Sequence, residues 1–136
     1  MQQQSARGRI ALADGSTDDD LLEAIGMAGI ERRSFNEPDE VYPTDDGSRT
    51  ELIQVGDNMV MRSVMKPGWS WEQYVKPMGD DPSCPMEHRE VILSGRIRYL
   101  MDDGTEVIGQ AGDYLEISPG HLAWVLGDEP CVTIDW

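Results

Sequence analysis

Cysteine and histidine are both scarce: the 136 residues contain two of each, Cys84 and Cys131, His88 and His121. With no Cys-x-x-Cys pair, neither a disulfide framework nor a zinc ribbon is suggested, and stability must come from an apolar core. Basic residues are scarce too. Eleven Lys and Arg stand against 26 Asp and Glu, a formal net charge of −15 at pH 7, which repels phosphate backbones and anionic lipid and so excludes general nucleic-acid and membrane partners. No apolar run approaches the ~20 residues that cross a bilayer, and Met1-Gln2-Gln3-Gln4-Ser5 lacks the basic and apolar blocks of a secretion signal. A soluble, cytoplasmic protein with a small-molecule partner is the expectation. The acids are spread evenly, 13 against 5 bases up to Asn58 and 13 against 6 beyond it, so the charge serves solubility rather than an acidic interaction tail.

The length fits one domain with one core. Residues 1–17 are polar and aperiodic and read as a flexible arm; residues 18–58 read as an extension of a short helix and edge strands. Asp18, Asp19 or Asp20 is placed to cap a helix through Ile30, with Leu21, Leu22 and Ile25 on one face and Gly26 and Gly29 weakening it. Turn-rich sequence follows, with extended pieces at Val41-Tyr42 and Glu51 to Val55.

From Met59 onward the pattern is that of a β-protein, with apolar and β-branched runs every eight to twelve residues separated by Gly, Pro and Asp. It predicts strands at Met59 to Met65, Trp69 to Val75, His88 to Leu93, Arg96 to Met101, Thr105 to Ile108, Tyr114 to Ile117, Leu122 to Leu126 and Cys131 to Trp136. Asp103-Gly104 marks a tight hairpin of type I′, which needs positive φ. The last strand alternates so that Val132, Ile134 and Trp136 form its buried face.

Three pieces in order, Val91-Ile92-Leu93-Ser94-Gly95, Met101-Asp102-Asp103-Gly104 and Gly112-Asp113-Tyr114-Leu115-Glu116-Ile117-Ser118-Pro119-Gly120-His121, resemble the two-motif core of the cupin superfamily. The resemblance covers about residues 59–136. It implies an all-β domain, a double-stranded β-helix or jelly-roll barrel with its ligand site in the open interior, and homodimerisation through sheet edges. The first cupin motif resembles Gly-x5-His-x-His-x3/4-Glu-x6-Gly. Counting back from Gly95 puts His88 at the glutamate, and the histidine pair falls on Pro82 and Cys84 or on Asp81 and Ser83. In the second motif, Gly-x5-Pro-x-Gly-x2-His-x3-Asn, Gly112 and Gly120 match. The histidine falls on Ala123 and the asparagine on Gly127, while Pro119 is displaced by one and His121 stands two residues early.

The family's three-histidine, one-glutamate site is therefore absent as written. A variant donor set is present in Cys84, His88 and His121, with Glu72 or Glu90 as oxygen donors, and would suit a divalent Fe, Mn, Ni or Zn ion. The other reading makes His88 a hydrogen-bonded strand residue, His121 a rim turn and Cys84 an inert thiol, with no metal at all. Strand alternation puts His88 and Glu90 on one face. If that face is inside, Glu90 is a candidate general base, with Tyr74 as a second proton carrier. Arg96 and Arg98 share a face: inward they recognise a carboxylate, outward they offset local acidity. Trp71, Trp124 and Tyr99, with the two arginines, complete a candidate substrate pocket. Two functions follow. One is a metal-dependent oxygenase, isomerase or lyase acting on a small organic molecule; the other is a metal-free barrel that binds or senses a small ligand without catalysis.

Overall fold

The computed structural model describes residues 29–136. The arm over residues 1–17 and the helix expected from residue 18 lie outside this range, except that Gly29 and Ile30 are described and not helical. Nine strands follow in order: β1 (Glu40–Pro43), β2 (Arg49–Val55), β3 (Asn58–Met65), β4 (His88–Ser94), β5 (Arg96–Met101), β6 (Glu106–Gln110), β7 (Tyr114–Ile117), β8 (His121–Leu126) and β9 (Cys131–Asp135). They form two antiparallel sheets, one ordered β1-β2-β3-β9-β4-β7 and one ordered β6-β5-β8. The domain is all-β, and among the described residues no helix is long and apolar enough to cross a membrane.

The register explains what faces the interior, because residues directly opposite on neighbouring strands share a face. On β5 and β8 the pairs Ile97↔Val125, Tyr99↔Ala123 and Met101↔His121 line it, and all but Met101 are buried. On β4 and β9 the pairs Glu90↔Asp135 and Ile92↔Thr133 do the same. Following each strand shows a polarity gradient: β4 runs inward from His88 through Glu90 to Ile92, and β9 from Cys131 through Thr133 to Asp135. One end of the barrel is packed with Ile92, Ile97, Val125, Trp69 and Met65. The other end holds the titratable groups. Fully burying Ile92 and Ile97, 0 % and 1 % exposed, contributes about 1.5–3 kcal/mol each.

Three sequence expectations are corrected. The buried face of β9 is Cys131, Thr133 and Asp135, whereas Trp136 is 46 % exposed and stacks on Tyr114 outside the barrel. The polar face turns inward because Asp135 meets His88 there. The stretch Trp69 to Val75 is not a strand. Only Ser70 bridges to β8, and the chain then turns into a short helix, α1 (Trp71–Tyr74), whose N-cap Ser70 Oγ accepts the Gln73 N–H. Asp103-Gly104 does close the β5–β6 hairpin. However, Gly104 alone has positive φ, with its N–H donating to the Met101 carbonyl at 2.9 Å, so the turn is not type I′, which requires positive φ at both central residues.

β1 and β2 extend the larger sheet beyond β3. On its outer face Glu51 is buried between Arg49 and Arg62, each at 2.7 Å, and Phe35 lies under the Arg62 guanidinium. Gly95, at φ +77°, links β4 to β5 where a Cβ would stand 2.4 Å from the Pro130 carbonyl oxygen. No other residue type fits this crossing without moving backbone.

Candidate metal centre

At the polar end of the barrel, ligand atoms of Cys84, His88 and His121 all lie within 4.8 Å of one another. Cys84 comes from the loop before β4 and is held in place by backbone pairing with the first residue of β8: its N–H donates to the His121 carbonyl and its carbonyl accepts from Gly120. His88 opens β4 and His121 opens β8. Thiol and imidazoles therefore come from three segments that the two sheets and this bridge pin together.

Each imidazole is oriented by a hydrogen bond to an acceptor that has no proton to give. His88 Nδ1–H donates to the Asp135 carboxylate, and His121 Nδ1–H donates to the Ser118 carbonyl at 2.8 Å. In a neutral ring so held, Nε2 is the lone-pair nitrogen, the arrangement that outer carboxylates and carbonyls impose on metal-binding histidines. Cys84 Sγ stands 3.7 Å from His88 Nε2. For an ion bonded to sulfur at about 2.3 Å and nitrogen at about 2.05 Å, tetrahedral donors are ~3.6 Å apart and donors at a right angle ~3.1 Å. The donor chemistry and the Cys84–His88 spacing fit a tetrahedral first-row divalent ion. The rings of His88 and His121 meet edge-on at 5.0 Å, which keeps both imidazoles close to the thiol.

The charges respond to this crowding. Burial alone would raise the Cys84 thiol, but hydrogen bonds from His121, His88 and the Met86 N–H bring it down to about 6. Burial alone would lower His88, but Asp135 and Cys84 hold it up at about 10. Without a metal the two rest as thiolate and imidazolium. Cys131, by contrast, is pushed up to about 12 by burial and by the Glu90 and Glu129 carboxylates, and remains a neutral thiol.

Behind His88 lies a second acid layer. Glu90 is 3 % exposed and accepts the Tyr99 hydroxyl hydrogen bond at 2.5 Å. Burial, opposed by that hydrogen bond, holds its carboxyl above the ordinary range. Glu90 and Asp135 also form, with His88, a second group of converging donors. Tyr99 contacts His121 edge-on at 5.7 Å, so it links this layer back to the first donor set.

Of the residues singled out from sequence, Cys84, His88, His121, Glu90 and Tyr99 are brought together, and Trp71, 6 % exposed, packs in the core beside Cys84. The others are not. Glu72 is exposed on α1, because the Ser70 cap turns the chain into a helix where a strand was expected. Tyr74, on the same helix, packs against the apolar core. Alternation on β5 buries Ile97 and Tyr99 and so turns Arg96 and Arg98 outward; Arg98 pairs with Glu106 at 2.8 Å and lies over Trp124, 5.1 Å from its ring. Sequence reasoning missed Asp135 and the Ser118 carbonyl. The first was legible as a charged residue at an alternating position of β9; the second is a backbone group that carries no sequence signal.

No family model matches the chain, and no curated protein is similar to it in sequence. Its fold is similar to several solved structures. A conserved protein with a double-stranded beta-helix domain from Klebsiella pneumoniae is 20% identical with a TM-score of 0.53, over 78% of this chain and 87% of that one. An RmlC-like cupin from Shewanella frigidimarina is 16% identical with a TM-score of 0.52, over 78% and 90%. An oxalate decarboxylase from Lactobacillus farciminis is 14% identical with a TM-score of 0.54, over 82% of this chain but 34% of that one. The domain has the cupin fold.

Proposed function

We propose that Cys84 Sγ, His88 Nε2 and His121 Nε2 hold a divalent transition metal, and that this cupin-fold chain is a metal-dependent enzyme acting on a small organic molecule. The observation that carries the reading is the orientation of both imidazoles. Asp135 and the Ser118 carbonyl each take an Nδ1–H, so that once His88 gives up its Nε2 proton two imidazole lone pairs and one thiolate lie within 4.8 Å of one another. Three protein donors leave a fourth tetrahedral position open, as in catalytic sites, whereas structural zinc sites close with four. A thiolate with two imidazoles favours zinc, iron(II) or nickel over manganese, which prefers oxygen donors. Bound there, such an ion supplies Lewis-acid polarisation of a substrate oxygen.

The chain's own residues supply proton handling. Glu90 is a buried carboxyl held above its ordinary range and hydrogen-bonded to the Tyr99 hydroxyl, so it is better suited than an ordinary carboxyl to take a proton and return it. Asp135 orients His88. This arrangement suits proton transfer at a carbon beside a polarised carbonyl, the chemistry of isomerases and lyases.

A second reading, a metal-free ligand-binding barrel, is favoured by one observation: Cys84 and His88 satisfy each other as thiolate and imidazolium. Elemental analysis of untagged protein separates the two. The enzyme reading expects about one metal ion per chain, lost in His88→Ala, His121→Ala and Cys84→Ala variants that stay folded. Protein that takes up no iron, nickel or zinc on incubation would leave the metal-free barrel.

A further inference from the structure

One of the three donors, Cys84, also lines a cavity. A cavity of about 250 Å³ is lined by Trp71, Val75, Met78, Pro85 and Met86, and Cys84 belongs both to this lining and to the metal-donor group. Of its lining, Trp71 and Cys84 are each 6 % exposed, whereas Met78 and Met86 are exposed. Lys76 and Asp81 also line it and give one charge of each sign, so this pair selects neither. A second cavity of about 310 Å³, where β5 and β6 meet β7, reaches Tyr99 but none of the three donors.

The walls state what the cavity takes. Indole, two thioethers and a valine offer polarisable apolar surface that fits different shapes. The indole N–H is their one strong hydrogen-bond donor, so they offer little to a polar ligand body. The volume is below the ~300 Å³ at which pockets for drug-sized molecules begin. At the inner end, a dication bound to one thiolate and two neutral imidazoles keeps one positive charge, which a monoanionic head group neutralises.

Resting on the metal reading above, we propose that the substrate is a small apolar organic molecule with a single anionic oxygen or sulfur head group. Its head points to the Cys84 donor and its apolar body lies against Trp71, Val75, Met78 and Met86. Met78 and Met86 then decide specificity by excluding polar tails, while the donors set which head group is held.

Cobalt(II)-loaded protein titrated with straight-chain carboxylates from acetate to hexanoate tests this, with binding read from the visible cobalt spectrum. The dissociation constant is expected to fall about fourfold with each added methylene until the cavity is full. Met78→Glu and Met86→Glu, both at exposed positions that tolerate charge, are expected to keep their cobalt and lose most of the chain-length gain. Cobalt bound with no dependence on chain length would overturn the inference and leave the metal reading intact. So would a full chain-length gain in both variants. Failure to bind cobalt would overturn the metal reading and this inference with it.

Discussion

Asp135 on β9 accepts the Nδ1–H of His88 on β4, so the carboxylate of one strand sets the direction in which the imidazole of its neighbour points. The contact makes β9 part of the site although it supplies none of the three donors. Asp135→Asn keeps the shape but weakens the acceptor and removes its charge. Metal affinity is expected to fall about 10- to 100-fold with the fold retained, as measured by competition with a chelator. An unchanged affinity would show that Asp135 does not orient the ligand.

Metal binding must remove a proton from the site. Between about 6 and about 10, Cys84 rests as thiolate and His88 as imidazolium, so metal uptake in that window displaces the His88 Nε2 proton, about one per ion. Below pH 6 the thiol proton is displaced as well, release rises above one, and affinity weakens as pH falls. Zinc titration in buffers of differing ionisation enthalpy measures the count.

The two cysteines should differ sharply in reactivity. In metal-free protein the Cys84 thiolate, beside an open cavity, should be alkylated by iodoacetamide, while Cys131, fully buried and held neutral, should not react until the chain unfolds. Bound metal should protect Cys84. Peptide mass mapping reads both sites, and equal labelling of the two in native protein would contradict the assignment.

Glu51 gives a stability prediction away from the site. Burial raises its carboxyl, but Arg49 and Arg62 outweigh burial and hold it below the ordinary range. A depressed folded value contributes stability that is present above the unfolded value, near 4.3, and is lost as pH falls through the folded one. Because both arginines are partly exposed, Glu51→Gln is expected to cost only about 1–2 kcal/mol at pH 7 and less at pH 3. Urea unfolding at the two pH values checks it.

Much of the fold was legible because spacing and turn residues carried it. The hairpin at Asp103-Gly104, the strands from Arg96 to Met101 and Tyr114 to Ile117, and the shared face of His88 and Glu90 follow from period-two alternation and Gly placement, whereas which face turns inward does not. Two failures share one cause, that a local pattern admits two readings which tertiary contacts resolve. Ser70-Trp71-Glu72-Gln73 alternates like a strand yet is also a helix capping sequence, Ser followed three residues later by Gln, and the cap wins. On β9 one face is Val-Ile-Trp and the other Cys-Thr-Asp, and the rule that apolar residues go inside fails because this end of the barrel interior holds converging ionisable groups. The donor trio was visible only as three scarce residues near two motifs. The bridge from Cys84 to His121 that unites them depends on backbone pairing, which no residue type announces.

Metal-edge X-ray absorption on zinc-loaded protein tests the central claim most directly. The account predicts one sulfur scatterer at about 2.3 Å and two imidazole nitrogens at about 2.0–2.1 Å, with the sulfur lost in Cys84→Ser. A shell of oxygen and nitrogen alone in the unmodified protein would contradict it.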